Sequence, residues 1–126
     1  MRWPEALLSF ALVVAGLVHL PPLVGLLSAA RLEALYGVPV RDPALEILLR
    51  HRALMFGLLA ALMFAGAFLP ALRTAAIAVA LLSMFGFVAV GAMVGEWPPA
   101  LRKIAIADIA AGSLLLAALG LRAVVR

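Results

Sequence analysis

The chain has 126 residues, of which 67% are hydrophobic and 13% are charged, and its mean hydropathy is +1.23. A soluble domain of this size leaves much of its surface in water and could not bury so much apolar area, so the composition excludes a soluble fold. The absence of cysteine excludes disulfides, thiol catalysis and Cys-ligated metal centres. The net charge of +4 is spread over helix ends and forms no basic patch, so nucleic acid is not an expected partner.

Four apolar stretches follow one another along the chain, at residues 5–28, 45–69, 73–95 and 101–121. Each has the roughly 20 residues that a helix needs to cross a hydrocarbon core of about 30 Å. Short connections predict that consecutive helices are antiparallel neighbours. The sequence therefore predicts an all-α integral membrane protein, a single domain over residues 1–126. Its fold would be a four-transmembrane-helix antiparallel bundle with an amphipathic segment at about 28–36.

Prolines and glycines mark the breaks between these stretches. Pro21 and Pro22 cannot donate backbone hydrogen bonds, so the first helix should kink or end near His19 and leave nearby carbonyls free. A helix can resume over residues 23–37 and end at Gly37. Asp42 is expected to cap the next helix, with proline at the first helical position.

This topology places the connection 28–44 and the turn 95–101 on one membrane side, which carries most of the ionisable residues. At about 100° per residue, Glu46 and Arg50 share a face with a stripe of small residues. Arg50 is therefore expected to face the bundle and pair with an acid. Arg52 points nearly opposite and is expected to extend to lipid headgroups, with His51 between the two.

Asp108 lies about a turn and a half inside the fourth stretch, where an unpaired carboxylate is costly by at least about 2.5 kcal/mol. We expect it to face the bundle and contact Arg50, His19, His51 or Lys103. A shallow polar pocket is expected from His19, Glu46, Arg50, His51, Glu96 and Asp108. This group could be a structural ion-pair network or a site that binds or transforms a ligand.

Roles can be assigned by side-chain chemistry. His19, His51 and Asp108 are candidate proton carriers, since imidazole titrates near neutral pH. The candidate ligand-binding residues are Glu46, Arg50, Glu96, Lys103, Tyr36 and Trp97. Tyr36 and Trp97 also suit an interfacial aromatic belt. No metal site and no cofactor are expected. A b-type haem between His19 and His51 is an alternative, as is a hydrogen bond from His19 to a carbonyl freed by the prolines.

One long segment carries a resemblance. ALYGVPVRDPALEILLRHRALMFGLLAAL (residues 34–62), followed by a P-x-L-R turn and a helix containing Ser-Met-Phe, resembles small bacterial four-helix membrane proteins related to the DoxX-like superfamily. The resemblance covers nearly the whole chain, and ILLRHRA is its distinctive motif. It implies a compact bundle with charge at one membrane face, and it supplies no catalytic residues. Similar chains are often labelled phosphopantetheine adenylyltransferase, but that enzyme needs a nucleotide-binding α/β fold, which this composition excludes.

The preferred hypothesis is a multi-pass protein of the bacterial inner (cytoplasmic) membrane that binds a small amphiphile, lipid or quinone-like, in the polar pocket. The alternatives are a lipid-modifying or redox enzyme, a small transporter, and a structural or accessory subunit. Membrane lipids are expected partners. A homo-oligomer could form through small-residue helix faces such as Ala53, Gly57 and Ala61, or residues 91–95.

Overall fold

A computed structural model describes residues 2–125 of the chain, and it is built from helices. In chain order these are α1 (Trp3–His19), a 3-10 segment (Pro21–Leu26), α2 (Ala29–Tyr36), α3 (Pro43–Phe68), α4 (Pro70–Val94) and α5 (Pro99–Val124). Four stretches are long and apolar enough to cross a membrane: Trp3–Leu26, α3, α4 and α5. The predicted all-α four-helix membrane bundle is therefore confirmed, and the protein is a multi-pass membrane protein.

Prolines begin the three long helices that follow the first span. Pro43, Pro70 and Pro99 each occupy the first helical position, where a missing N–H costs nothing because no intrahelical acceptor exists there. The Asp42 carboxylate accepts a hydrogen bond from the Ala44 N–H at 2.9 Å, which confirms the predicted cap. At the C-terminus of α2, Gly37 ends the helix with a φ of 68°, a left-handed conformation that favours glycine.

The first span breaks where the two prolines predict, because α1 ends at His19. The chain does not resume an α-helix at residue 23, as the sequence suggested. It forms a 3-10 segment, with the Leu23 N–H donating to the Leu20 carbonyl at 3.0 Å. The amphipathic helix α2 starts only at Ala29, after Ser28 accepts a hydrogen bond from the Arg31 N–H. The predicted α-helical extents 5–28 and 23–37 are thus wrong, because residues 21–26 form a 3-10 segment that packs against α3.

The four long helices pack as a bundle in which α3 and α5 each contact both α1 and α4. Large apolar side chains fill its centre, namely Leu8, Leu12, Met63, Met84 and Leu115. The 3-10 segment and α2 pack on α3 at one end of the bundle, and α2 also contacts α5. As a result α3 has neighbours on two opposite sides near its start. Arg50 contacts the neighbour on one side and Arg52 contacts those on the other.

Several small-residue positions are filled by side chains of the same chain. Leu23 covers Gly57, Phe85 covers Gly112 and Trp97 covers Gly91, in each case so closely that a Cβ would collide. Ala53 is fully buried. Close approach at these positions therefore serves packing within the single bundle. A homo-oligomer through small-residue faces stays a prediction, and Ala61 and Gly95 are exposed.

Candidate functional site

A cluster of polar side chains lies at the bundle end that holds the chain termini and the α3–α4 turn. Arg73 is only 8% exposed. It donates to Glu5 Oε2 at 2.9 Å, to the Ala67 carbonyl at 2.9 Å and to the Gly66 carbonyl at 3.2 Å. Glu5 Oε1 also pairs with Arg122 Nε at 2.7 Å. We call Glu5, Ser9, Arg73 and Arg122 the terminal-side cluster. Glu5 is ion-paired with both Arg73 and Arg122, so we interpret this cluster as a structural network.

Arg50 also has a structural role. It forms the predicted ion pair with Glu46, at 3.0 Å. Its Nε and Nη2 donate to the carbonyls of Leu26 and Leu27 at 3.1 and 2.9 Å. Those carbonyls lie where the 3-10 segment ends and would otherwise lack a donor. Arg50 therefore fastens the broken first span to α3, and most of its donors are already used.

Arg52 packs against aromatic side chains of its own and of other helices, and its expected contact with lipid headgroups stays a prediction. Its guanidinium carbon lies over three aromatic rings, 4.6 Å from the ring centroid of Phe56, 5.6 Å from that of Phe87 and 5.9 Å from that of Tyr36. The side chain does point away from Arg50, as helical geometry requires. However, α2 and α4 lie on that side of α3, so the opposite face is an interior face as well.

The guanidinium of Arg52 makes no hydrogen bond and no ion pair with any residue between 2 and 125. Cation–π contacts of this kind are worth about 0.5–2 kcal/mol each but leave the N–H donors unused. The phenolic hydroxyl of Tyr36, a residue only 6% exposed, also lacks a partner in the described part of the chain. Two strong hydrogen-bond donors therefore lie unsatisfied in one place.

Two cavities are lined by both Arg52 and Phe87. The first, of about 290 Å³, also has Tyr36, Leu49 and Leu101 in its wall. The second, of about 270 Å³, has walls formed by Phe56, Ser83, Gly86 and Val90 as well. We call Arg52, its three rings, Ser83 and these two cavities the Arg52 site. A third cavity of about 240 Å³ adjoins it through Phe87 and is lined by Glu96 and Trp97.

His19 contacts this site through Ser83 and is itself buried in the bundle. The residue is 1% exposed, with Nδ1 2.8 Å from the Ala15 carbonyl and Nε2 2.8 Å from Ser83 Oγ. A carbonyl can only accept a hydrogen bond, so Nδ1 carries a proton. The Nε2 atom of the neutral ring then accepts a hydrogen bond from the Ser83 hydroxyl. The ring does not bond a carbonyl freed by the prolines, because side chains on a helix lean toward its N-terminus. That expectation is wrong.

Asp108 is 5% exposed and faces the bundle, as predicted. None of the partners proposed for it bonds to it within the described chain. His19 is bonded to Ser83, Arg50 holds the 3-10 segment, and His51 and Lys103 are exposed. The role of ion-pair partner that the sequence interpretation offered to Arg50 is therefore not filled by any residue between 2 and 125.

The other candidate residues are dispersed. His51 and Glu96 are exposed, although Glu96 lines the third cavity. Trp97 packs over Gly91 and lies 5.8 Å from the Phe87 ring. A haem between His19 and His51 would require His19 to release Ser83. Over residues 2–125, no group of three or more His, Cys, Asp or Glu side chains is placed to hold a metal ion.

Sequence reasoning missed Arg52, Ser83, Phe56 and Phe87 as site residues. One signal for Ser83 was present, since a hydroxyl in the middle of an apolar helix needs a hydrogen-bond partner inside the bundle. Comparisons with protein-family models, with curated proteins and with solved structures gave no match to this chain.

Proposed function

We propose that this protein binds the headgroup of a small membrane amphiphile, lipid or quinone-like, in the Arg52 site. The observation that carries the proposal is the Arg52 guanidinium, which no residue between 2 and 125 pairs with and which lies over three aromatic rings at the edge of two cavities. A headgroup with oxygen acceptors would supply the partners that this cation lacks. On the resemblance described above, we place the protein in the bacterial cytoplasmic membrane, among DoxX-like bundles.

The chemistry of the walls supports an amphiphile. Apart from Arg52 and the Ser83 hydroxyl, the side chains that line the two cavities are hydrocarbon, aromatic or glycine. Binding sites for small molecules are commonly apolar with a few convergent polar groups that fix orientation. Flat headgroups can stack on Phe56 and Phe87, and acidic ones can accept a bidentate pair of hydrogen bonds from Arg52.

The shared requirement is an oxygen acceptor at the end of an apolar tail, and two kinds of molecule meet it. One is a quinone, whose carbonyl oxygens accept hydrogen bonds. The other is an anionic lipid, whose phosphate or carboxylate does the same with a charge. The test therefore uses one probe of each kind.

Trp97 provides the reporter. The chain has two tryptophans, and Trp3→Phe leaves Trp97, which adjoins the site through Phe87. The Trp3→Phe protein in nanodiscs is titrated with a short-chain ubiquinone analogue and, separately, with dibrominated phosphatidic acid, both of which quench tryptophan. Dibrominated phosphatidylcholine gives the background of non-specific contact. Saturable quenching by at least one probe, above this background, is the expected result.

Arg52→Gln tests the assignment to this site. Hydrogen bonds to a charged group are worth about 1.5–3 kcal/mol, so we expect the apparent affinity to fall about tenfold or more. Arg41→Gln is the matched control, since Arg41 is exposed in the connection at the same bundle end. The proposal is wrong if neither probe saturates, or if Arg52→Gln binds as well as Arg41→Gln.

A further inference from the structure

Binding a headgroup does not require a serine hydroxyl hydrogen-bonded to a histidine, yet Ser83 and His19 form such a pair. We propose that Ser83 is a nucleophile activated by His19, and that the protein cleaves or transfers the acyl ester of a lipid held in the Arg52 site. This inference rests on the proposed function, because the lipid must first enter that site. It commits to a lipid ester as the substrate class.

The geometry of the pair is that of an activated serine. Ser83 Oγ lies 2.8 Å from His19 Nε2, and His19 Nδ1 lies 2.8 Å from the Ala15 carbonyl. The bond to Ala15 fixes the tautomer in which Nε2 offers its lone pair to the serine proton. A nucleophile, a base within hydrogen-bond reach and a third group that orients the base form the general pattern of nucleophilic catalysis. A backbone carbonyl orients the ring but adds no negative charge, so we expect a slow enzyme.

A substrate in the cavity can reach the Ser83 hydroxyl but not the His19 ring. Ser83 is half-buried and lines the cavity of about 270 Å³, whereas His19 behind it is 1% exposed. Arg52 lines the same cavity, and its N–H donors have no acceptor in the described part of the chain. Donors aimed at the oxygen that becomes negative are a major source of rate enhancement in acyl transfer. The site thus combines a nucleophile, a base and a cation around one space.

The reaction follows from these positions. Ser83 Oγ attacks the ester carbonyl carbon while its proton passes to His19 Nε2, and the carbonyl oxygen becomes an oxyanion facing Arg52. The ester C–O bond then breaks, and His19 returns the proton to the leaving alcohol oxygen, which leaves an acyl-serine. Water or an alcohol acceptor then attacks the acyl carbon while its proton passes to His19 Nε2. The bond between the acyl carbon and Ser83 Oγ breaks, His19 returns the proton to Oγ, and a fatty acid or a new ester is released. Each step balances without a metal, an oxidant or a reductant.

The competing interpretation is a hydrogen bond that only holds α1 to α4, as polar side chains do between membrane helices. Ser9 is the internal control for this interpretation. It too is a buried serine, but its hydroxyl donates to the Ala67 carbonyl at 2.7 Å and accepts from Arg73, with no histidine bonded to it. A structural hydroxyl of the Ser9 kind should be inert, whereas an activated one should react.

The test is covalent labelling with an alkyl fluorophosphonate in nanodiscs, followed by intact mass and peptide mapping. We expect one adduct, on Ser83 and not on Ser9, and no adduct in Ser83→Ala. His19→Gln keeps a polar group near Ser83 but removes the base, so labelling should slow by about 100-fold or more while thermal unfolding shows a folded protein. Release of fatty acid from a p-nitrophenyl acyl ester should fall in parallel.

The inference is overturned if the folded wild-type protein is not labelled, or if His19→Gln is labelled at the wild-type rate. If His19→Gln does not fold, selective wild-type labelling of Ser83 over Ser9 decides the question. The Trp97 titration on the Trp3→Phe background, with Ser83 intact, measures binding separately from labelling. Retained binding without labelling therefore refutes only the acyl-transfer step, whereas loss of saturable binding in the wild-type protein refutes the proposed function as well.

Discussion

Gly86 offers a way to fill the Arg52 site without altering any of its polar groups. It lines the second cavity with Arg52 and Ser83. A Cβ built on Gly86 meets no heavy atom within 4 Å, so the position opens onto free space. Gly86→Leu would place four carbons in a cavity of about 270 Å³ and leave less room for a headgroup beside the guanidinium.

The expected magnitudes separate binding from stability. Replacing a glycine inside a helix removes a propensity penalty of about 0.8–1 kcal/mol, so the stability should stay constant or rise slightly. A headgroup kept away from Arg52 loses hydrogen bonds worth about 1.5–3 kcal/mol, which corresponds to roughly a tenfold to hundredfold weaker affinity. The two effects have opposite signs, which a general disruption of the fold would not produce.

The assay is the Trp97 titration on the Trp3→Phe background, with thermal unfolding on the same samples. Gly120→Leu is the matched control, because a Cβ on Gly120 in α5 also meets open space but lies far along the chain from the site residues. Unchanged affinity in Gly86→Leu would show that no headgroup occupies this cavity. A clear fall in the melting temperature would show that the space beside Gly86 is not free.

Two further predictions concern the arginines that the structure assigns to packing. Arg50→Gln should lower the free energy of unfolding by about 1–2 kcal/mol, since it removes the donors to Leu26 and Leu27, and should leave amphiphile affinity unchanged. Arg73→Gln should cost more, about 3 kcal/mol, because Arg73 is 8% exposed and its loss leaves Glu5 Oε2 and the Gly66 carbonyl without their donor. Thermal unfolding in one detergent checks both, and the reverse order of the two losses, or a weaker affinity in Arg50→Gln, would contradict the assigned roles.

The boundaries of the helices were largely predictable from the sequence. Proline at the first helical position and glycine just after the last are local signals, because they act through the backbone of the residue itself. Pro43 and Gly37 therefore mark their boundaries correctly. The 3-10 segment was not predictable in the same way, since the choice between an α-helix and a 3-10 helix after Pro22 depends on what packs against it.

The site was predictable only in part, for a different physical reason. The burial of Asp108 follows from the cost of a carboxylate in hydrocarbon, whatever the partner. Helical geometry also gives the angle between Arg50 and Arg52 correctly. It does not reveal how many neighbours α3 has, and two opposite faces of one helix can both be interior. The Ser83–His19 bond joins residues 64 positions apart, so no local pattern could predict it.

The two ends of the bundle treat their polar groups differently, and this difference is the main physical argument for a ligand. Unpaired donors in a lipid environment are expensive, because no water is available to replace a missing partner. At the terminal-side cluster, the chain supplies carbonyls and a carboxylate to Arg73. At the Arg52 site, no residue between 2 and 125 pairs with the guanidinium, and open space lies beside it. A molecule that brings oxygen acceptors into that space would complete the same kind of pairing. Because it would bind the folded protein and not the unfolded chain, it should raise the free energy of unfolding.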